Sequence, residues 1–169
     1  LGSLEYSGLI SGKKDYEKSF NYYLIAAKKD HPKACWMVAN LILSNKVNNY
    51  DINLAWNYLN KAIKLGSISA INTKGLCLLN GNNPDNVINE EKALEYFFAS
   101  SEYSYPYAYN NIGLYYERNN DLNKALKYFK LSADLGESWA LNKVGEYYRK
   151  NNDLSKAYFY YIKSTEAPI

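Results

Sequence analysis

The chain has few of the residues from which metal and redox sites are made. Its one histidine, His31, stands before Pro32 in a stretch that reads as a turn, and its two cysteines, Cys35 and Cys77, lie far apart with no Cys-x-x-Cys pairing. That excludes zinc-ligand and dithiol motifs, so no metal and no cofactor is expected. Two isolated thiols predict buried free cysteines, which suit a reducing, cytoplasmic compartment. His31 is expected to serve a connector rather than to act as a base.

Long apolar runs are missing too. Nothing approaches the ~18 consecutive apolar residues of a membrane span, and Leu1 to Ile10 lack the charged-then-apolar layout of an export signal. Charge of one sign is also scarce: 20 Lys and Arg against 17 Asp and Glu leave a net charge of +3. The charges are interspersed, with no basic stripe to neutralise phosphates, so neither nucleic acid nor membrane is an expected partner. No Ser/His/Asp grouping and no glycine-rich loop ahead of a helix is present, and the carboxylates fall at helix starts or on exposed faces, so no enzyme is expected. The sequence opens at Leu1 without an initiator Met, and Gly2-Ser3 reads as a cloning remnant, which predicts a fragment of a longer protein.

What the chain does have is 47% hydrophobic residues, enough for a core without metals or disulfides, and a repeat. Asp121-Leu-Asn-Lys-Ala125 and Asp153-Leu-Ser-Lys-Ala157 differ at one position. The same frame runs back to Asn89…Ala93, Asp51…Ala55 and Asp15…Ser19, at spacings of 36, 38, 32 and 32 residues between the small residues that close each segment. Three residues after that small position comes tyrosine in every copy: Tyr22, Tyr58, Tyr96, Tyr128 and Tyr160. Four after it lie Tyr23, Leu59, Phe97, Phe129 and Tyr161, and seven after it Ala26, Ala62, Ser100, Ser132 and Ser164. Offsets of 0, 4 and 7 share one helical face, where small residues admit a neighbouring helix and large ones fill the space between. The Asp or Asn four residues upstream is placed to cap that helix.

Ahead of each cap lies a second apolar segment, clearest in Ala108…Gly113 and Ala140…Gly145 and echoed by Ala70…Gly75 and Ala34…Ala39. Each has a small residue at its middle: Ser7, Ala39, Gly75, Gly113, Gly145. Glycine there costs about 1 kcal/mol of helix propensity, and close helix contact is the expected compensation. Leu65-Gly66 and Leu135-Gly136 supply left-handed helix ends, and Pro32 and Pro106 open the next helices. The pattern predicts a single all-α domain over residues 1–169, an α-solenoid of about five antiparallel helix pairs with repeats near 1–30, 31–66, 67–104, 105–136 and 137–169.

The pattern Ala-x-x-x-(Ile/Val)-Gly-x-x-Tyr, a variable turn, then Asp-x-x-Lys-Ala-x-x-Tyr-Phe-x-x-Ser-Ala resembles the Sel1-like repeat, a relative of the tetratricopeptide repeat. It is fullest from Ala108 to Ala157, and the longer turn from Gly81 to Ile88 resembles the extended Sel1-type turn. It departs in repeat one, where Ser7 and Ser19 replace Gly and Ala. The resemblance implies a right-handed superhelix with first helices on its concave side, acting as an adaptor or scaffold. In the related family, ligands touch first-helix positions three before the central small residue, one after it, and four or five after it. Carried over, these are Trp36, Asn40 and Leu43; Asn72, Leu76, Leu79 and Asn80; Asn110, Leu114, Glu117 and Arg118; Asn142, Glu146, Arg149 and Lys150.

Asn72, Asn110 and Asn142 share one position in three repeats, which predicts a ladder of amides able to pair with a peptide backbone, extended by Asn40. The bland alternative is solvated asparagines in an asparagine-rich chain. Tyr107 and Trp139 are candidate aromatic anchors, with packing between repeats as the alternative. Arg118, Arg149 and Lys150 could receive a carboxylate unless Glu117 and Glu146 neutralise them. The expected function is a non-catalytic protein- or peptide-binding module. The alternatives are the peptide-sensing part of a bacterial regulator, or an architectural module that self-associates through the C-terminal helix, Asp153 to Ala167, which carries Tyr158, Phe159, Tyr160, Tyr161 and Ile162.

Overall fold

The computed structural model describes residues 2–8 and 14–167. Leu1, where the sequence opens, and the last two residues of repeat five lie outside them. Among the described residues there are ten α-helices and no strand. In chain order they are α1 (Gly2–Ser7), α2 (Tyr16–Ala27), α3 (Pro32–Leu43), α4 (Ile52–Lys64) and α5 (Ile68–Asn80), then α6 (Glu90–Ser101), α7 (Pro106–Arg118), α8 (Leu122–Asp134), α9 (Ser138–Lys150) and α10 (Leu154–Glu166). The chain divides into two compact units, residues 1–93 and 94–169, with the boundary inside α6.

The starts of α2 to α10 have local causes. The five recurring acceptors all cap: Asp15 accepts from the N–H of Lys18 at 2.9 Å, Asp51 from Leu54 at 2.8 Å, Asn89 from Lys92 at 2.9 Å, Asp121 from Lys124 at 3.1 Å and Asp153 from Lys156 at 3.1 Å. Each satisfies one donor that the first helical turn cannot pair internally. Pro32 and Pro106 stand at the first positions of α3 and α7, where a missing N–H costs nothing. His31 is the N-cap of α3, its Nδ1 accepting from the N–H of Ala34 at 3.3 Å, the connector role expected of it. Helix ends turn left-handed at Gly66 (φ 84°) and Gly136 (φ 80°), and asparagines do the same work at Asn120 (φ 58°) and Asn152 (φ 59°).

In the first unit α1 packs on α2, α2 on α3, α3 on α4 and α4 on α5. Phe20, Leu41, Leu59 and Val38 are fully buried between them, each contributing roughly 1.5–3 kcal/mol of transfer free energy. In the second unit α8 packs on both α7 and α9, and α9 on α10, around Phe129, Ile112 and Val144.

At Gly113 and Gly145 the first helix lies hard against the second. A Cβ on Gly113 would lie 2.5 Å from the Phe129 ring, and one on Gly145 2.6 Å from the Tyr161 ring. Repeat one keeps this contact but not at Ser7. Ser7 is exposed and donates to the carbonyl of Leu4, whereas Gly2 is buried with its Cβ position 3.2 Å from the Tyr23 ring. Gly2 therefore fills the place assigned from sequence to Ser7.

Candidate interaction surface of the first helices

The residues three before the central small position, expected to form an amide ladder, differ in exposure and in partners. Asn72 and Asn110 are both buried, at 5% and 7% exposure. The Asn110 Nδ2 donates to Oε2 of Glu137 at 2.8 Å, and its Oδ1 is buried with no hydrogen-bond partner among the described residues. Asn142 is exposed, but its Nδ2 donates to the Ser138 carbonyl at 3.2 Å and its Oδ1 accepts from the Ser164 hydroxyl at 2.9 Å. Trp36, at the same position in repeat two, is half-buried and donates from Nε1 to Thr73 at 2.9 Å. This position chiefly braces neighbouring helices: Trp36 reaches Thr73 on α5, Asn110 the cap of α9 and Asn142 Ser164 on α10.

Glu137 is the residue that sequence reasoning missed. It caps α9, accepting from the N–H groups of Trp139 at 3.3 Å and Ala140 at 2.7 Å while holding Asn110. Its signal was a carboxylate just ahead of Ser138 at the helix start, a place where negative charge is favoured.

Glu117 is also committed internally. It accepts from Lys143 Nζ at 3.4 Å and from the Tyr147 hydroxyl at 3.1 Å, tying α7 to α9. Burial, followed by the hydrogen bond to Glu117, pushes the Tyr147 phenol up to about 12. Lys143 in turn lies 5.5 Å from the centre of the Trp139 ring and 5.9 Å from that of Phe129. Trp139 stands edge-on to Phe129 with centroids 5.6 Å apart, so its ring is held from two sides.

What α7 and α9 leave to solvent is a different set. Tyr107 is 52% exposed and Trp139 40% exposed, and the two occupy the same position in successive first helices, the second helical residue of each. Arg118, Glu146, Arg149 and Lys150 are exposed toward the C-terminal ends of these helices, and Leu114 is half-buried between. In the first unit, Asn40, Leu43, Leu76 and Leu79 are half-buried and Asn80 is exposed. A cleft of about 360 Å³ among α1, α2 and α3 is lined by Gly2, Tyr22, Tyr23, Ala26, His31 and Ala34.

Both thiols are free and buried. Cys35 reaches the Ala27 carbonyl at 3.6 Å, and desolvation pushes Cys77 up to about 11, so neither is poised as a nucleophile. No group of His, Cys, Asp or Glu able to hold a metal occurs among the described residues, and no helix there is long and apolar enough to cross a membrane.

No curated protein matches the chain. Among solved structures, it is similar to a Sel1 repeat protein from Oxalobacter formigenes, with 22% identity and a TM-score of 0.78 over 98% of this chain and 69% of that one. The immunity protein Pa5087 from Pseudomonas aeruginosa is 23% identical, with a TM-score of 0.69 over 97% of this chain and 66% of that one. The protein c5321, a protective antigen of uropathogenic Escherichia coli strains with an SLR fold, is 20% identical, with a TM-score of 0.71 over 87% of this chain but only 33% of that one. The Sel1 repeat pattern itself matches five segments, residues 1–31, 32–67, 75–102, 106–137 and 140–168. The chain belongs to the Sel1 repeat family, whose α-solenoid members typically serve as non-catalytic scaffolds for interactions between proteins.

Proposed function

We propose that this chain is a protein- or peptide-binding module and that the exposed face of α7 and α9 receives the partner. The observation that carries this reading is the pair Tyr107 and Trp139, two half-exposed aromatics at one repeat position on consecutive first helices. Trp139 is held against Phe129 and Lys143 before any partner arrives, so little rotamer entropy is lost on binding. Large rigid aromatics of this kind dominate the energetics of interfaces. Leu114, Asn142, Glu146 and Arg149 form the remainder of the contact surface. Asn110 braces it from behind through its bond to Glu137. Two free thiols in the core favour a reducing compartment, the cytoplasm.

The test is selection of binding peptides from a random displayed library, followed by titration of the best binder against variants. Tyr107→Ala and Trp139→Ala should each lower affinity about tenfold or more, the loss typical of truncating a central aromatic, with thermal unfolding little changed in Tyr107→Ala and the helical circular dichroism retained in both. Asn142→Ala should cost less. Binding that is indifferent to both aromatic substitutions would reject this face as the site.

A further inference from the structure

Exposure marks out one stripe on each first helix of the second unit. In α7 the exposed residues are Tyr107 and Arg118, and in α9 they are Trp139, Asn142, Glu146, Arg149 and Lys150. Tyr107 and Arg118 stand eleven residues apart, and so do Trp139 and Lys150. Eleven residues make three helical turns to within about 20°, so each aromatic shares a face with its base, about 16 Å away along the axis. Both stripes are therefore aromatic at one end and basic at the other.

The bases at that end are uncommitted. Glu117, the carboxylate next to Arg118, is taken up by Lys143 and the Tyr147 hydroxyl. Among the described residues Arg118, Arg149 and Lys150 enter no ion pair, and neither does Glu146, one turn before them. Compensation of the helix macrodipole does not account for these cations, because it would favour a base at every helix end. The second helices of the same unit, α8 and α10, end instead on Asp134 and Glu166.

We propose that the partner of this face is an extended acidic peptide, with a bulky apolar residue five positions from an Asp or Glu. An extended chain advances ~3.3 Å per residue, so five residues span the distance from the aromatics to the bases. The apolar side chain packs on Tyr107 and Trp139. The carboxylate accepts from the guanidinium groups of Arg118 and Arg149, planar donors that match its two oxygens, and Lys150 adds charge. Glu146 sets the spacing. It lies two helical turns from Trp139, about 10 Å, where it meets the third peptide residue and repels a carboxylate there. This inference rests on the binding face proposed above and adds the charge and spacing of what it binds.

The test runs one random displayed peptide library against three proteins: wild type, the triple variant Arg118→Ala, Arg149→Ala, Lys150→Ala, and Glu146→Gln. All four positions are exposed, and retained helical circular dichroism checks each fold. Wild-type binders should carry an Asp or Glu five positions from a bulky apolar residue. Binders of the triple variant should keep the apolar residue and lose the acidic preference, while those of Glu146→Gln should also accept a carboxylate at three positions. The best wild-type peptide should bind the triple variant about fivefold more weakly, the upper end for an exposed ion pair, and replacing its acid by the amide should cost the triple variant nothing further. Binders that need Tyr107 and Trp139 but show no acidic preference, a different spacing, or the same preference on the triple variant overturn this proposal alone. Binders indifferent to both aromatics, or a library that yields none, overturn the binding face and this proposal with it.

Discussion

Asn110 and Glu137 form a joint between repeats four and five. One carboxylate oxygen of Glu137 accepts both the Asn110 amide at 2.8 Å and the first-turn N–H of Ala140 at 2.7 Å. The cap of α9 is thereby bonded to the middle of α7. An amide whose position in the repeat points to ligand contact is occupied in holding the unit together.

Asn110→Ala should therefore lower stability. It removes a hydrogen bond to a charged acceptor, worth roughly 1.5–3 kcal/mol, but also a buried carbonyl without a partner, whose burial costs about 1–3 kcal/mol. The two largely offset, so the net expectation is a loss of at most about 1 kcal/mol, read as a lower urea midpoint at unchanged slope. Asn142→Ala, at an exposed side chain, should stay within about 0.5 kcal/mol. Unchanged stability in Asn110→Ala together with lost peptide binding would return this residue to the role of a ligand contact.

Gly113→Ala should destabilise even though alanine is the better helix former by about 1 kcal/mol. Its Cβ would sit 2.5 Å from the Phe129 ring, which is fully buried and has no room to retreat. Overpacking of this kind costs typically ~1–3 kcal/mol beyond the propensity gain. Adding Phe129→Leu should recover part of the loss in a double-mutant cycle, and strictly additive effects would show that the ring is not what the methyl meets.

Stability should fall in acid through the helix caps. The carboxyls of Asp121 and Asp153 are held below the usual range by bonds to the side chains and backbone N–H groups of Lys124 and Lys156, and that of Asp15 chiefly by the backbone N–H of Lys18. A folded-state pKa below the unfolded value means that the contribution is complete above the unfolded value, ~3.9, and is lost as pH falls through the folded one. In the double variant Asp121→Asn, Asp153→Asn, thermal melts should show a shallower decline between pH 5 and pH 2 than wild type, roughly the window over which depressed carboxylates titrate. An identical acid limb would refute the assignment.

Cys35 and Cys77 should resist alkylation in the native protein. Both are buried and burial raises both thiols, so iodoacetamide at neutral pH should label them only as fast as the chain opens. Labelling should become rapid and complete in denaturant. Prompt labelling of the native chain would show that one of the thiols lies at the surface.

Much of this architecture was legible in the residue pattern. The five caps, the small-to-large alternation on the second helices and the left-handed turns at Gly66 and Gly136 are local devices, each set by interactions within a few residues. The slip from Ser7 to Gly2 was not legible, because the contact that decides it, Gly2 against the Tyr23 ring, joins two helices. The fates of the asparagines were equally hidden. Asn72, Asn110 and Asn142 share a place in the repeat, yet two are buried and one is exposed.

The sequence by itself determined that the chain folds as paired helices of the Sel1 type, since apolar periodicity and capping act over one or two helical turns. Only the tertiary structure decided which polar side chains remain free for a partner. Asn110 finds Glu137 27 residues away, Glu117 finds Tyr147 30 residues away, and Trp139 is held while still exposed. Such pairings depend on how neighbouring helices are offset and turned against each other. A hydrogen bond requires its atoms within about 3 Å, a tolerance much finer than any residue pattern specifies.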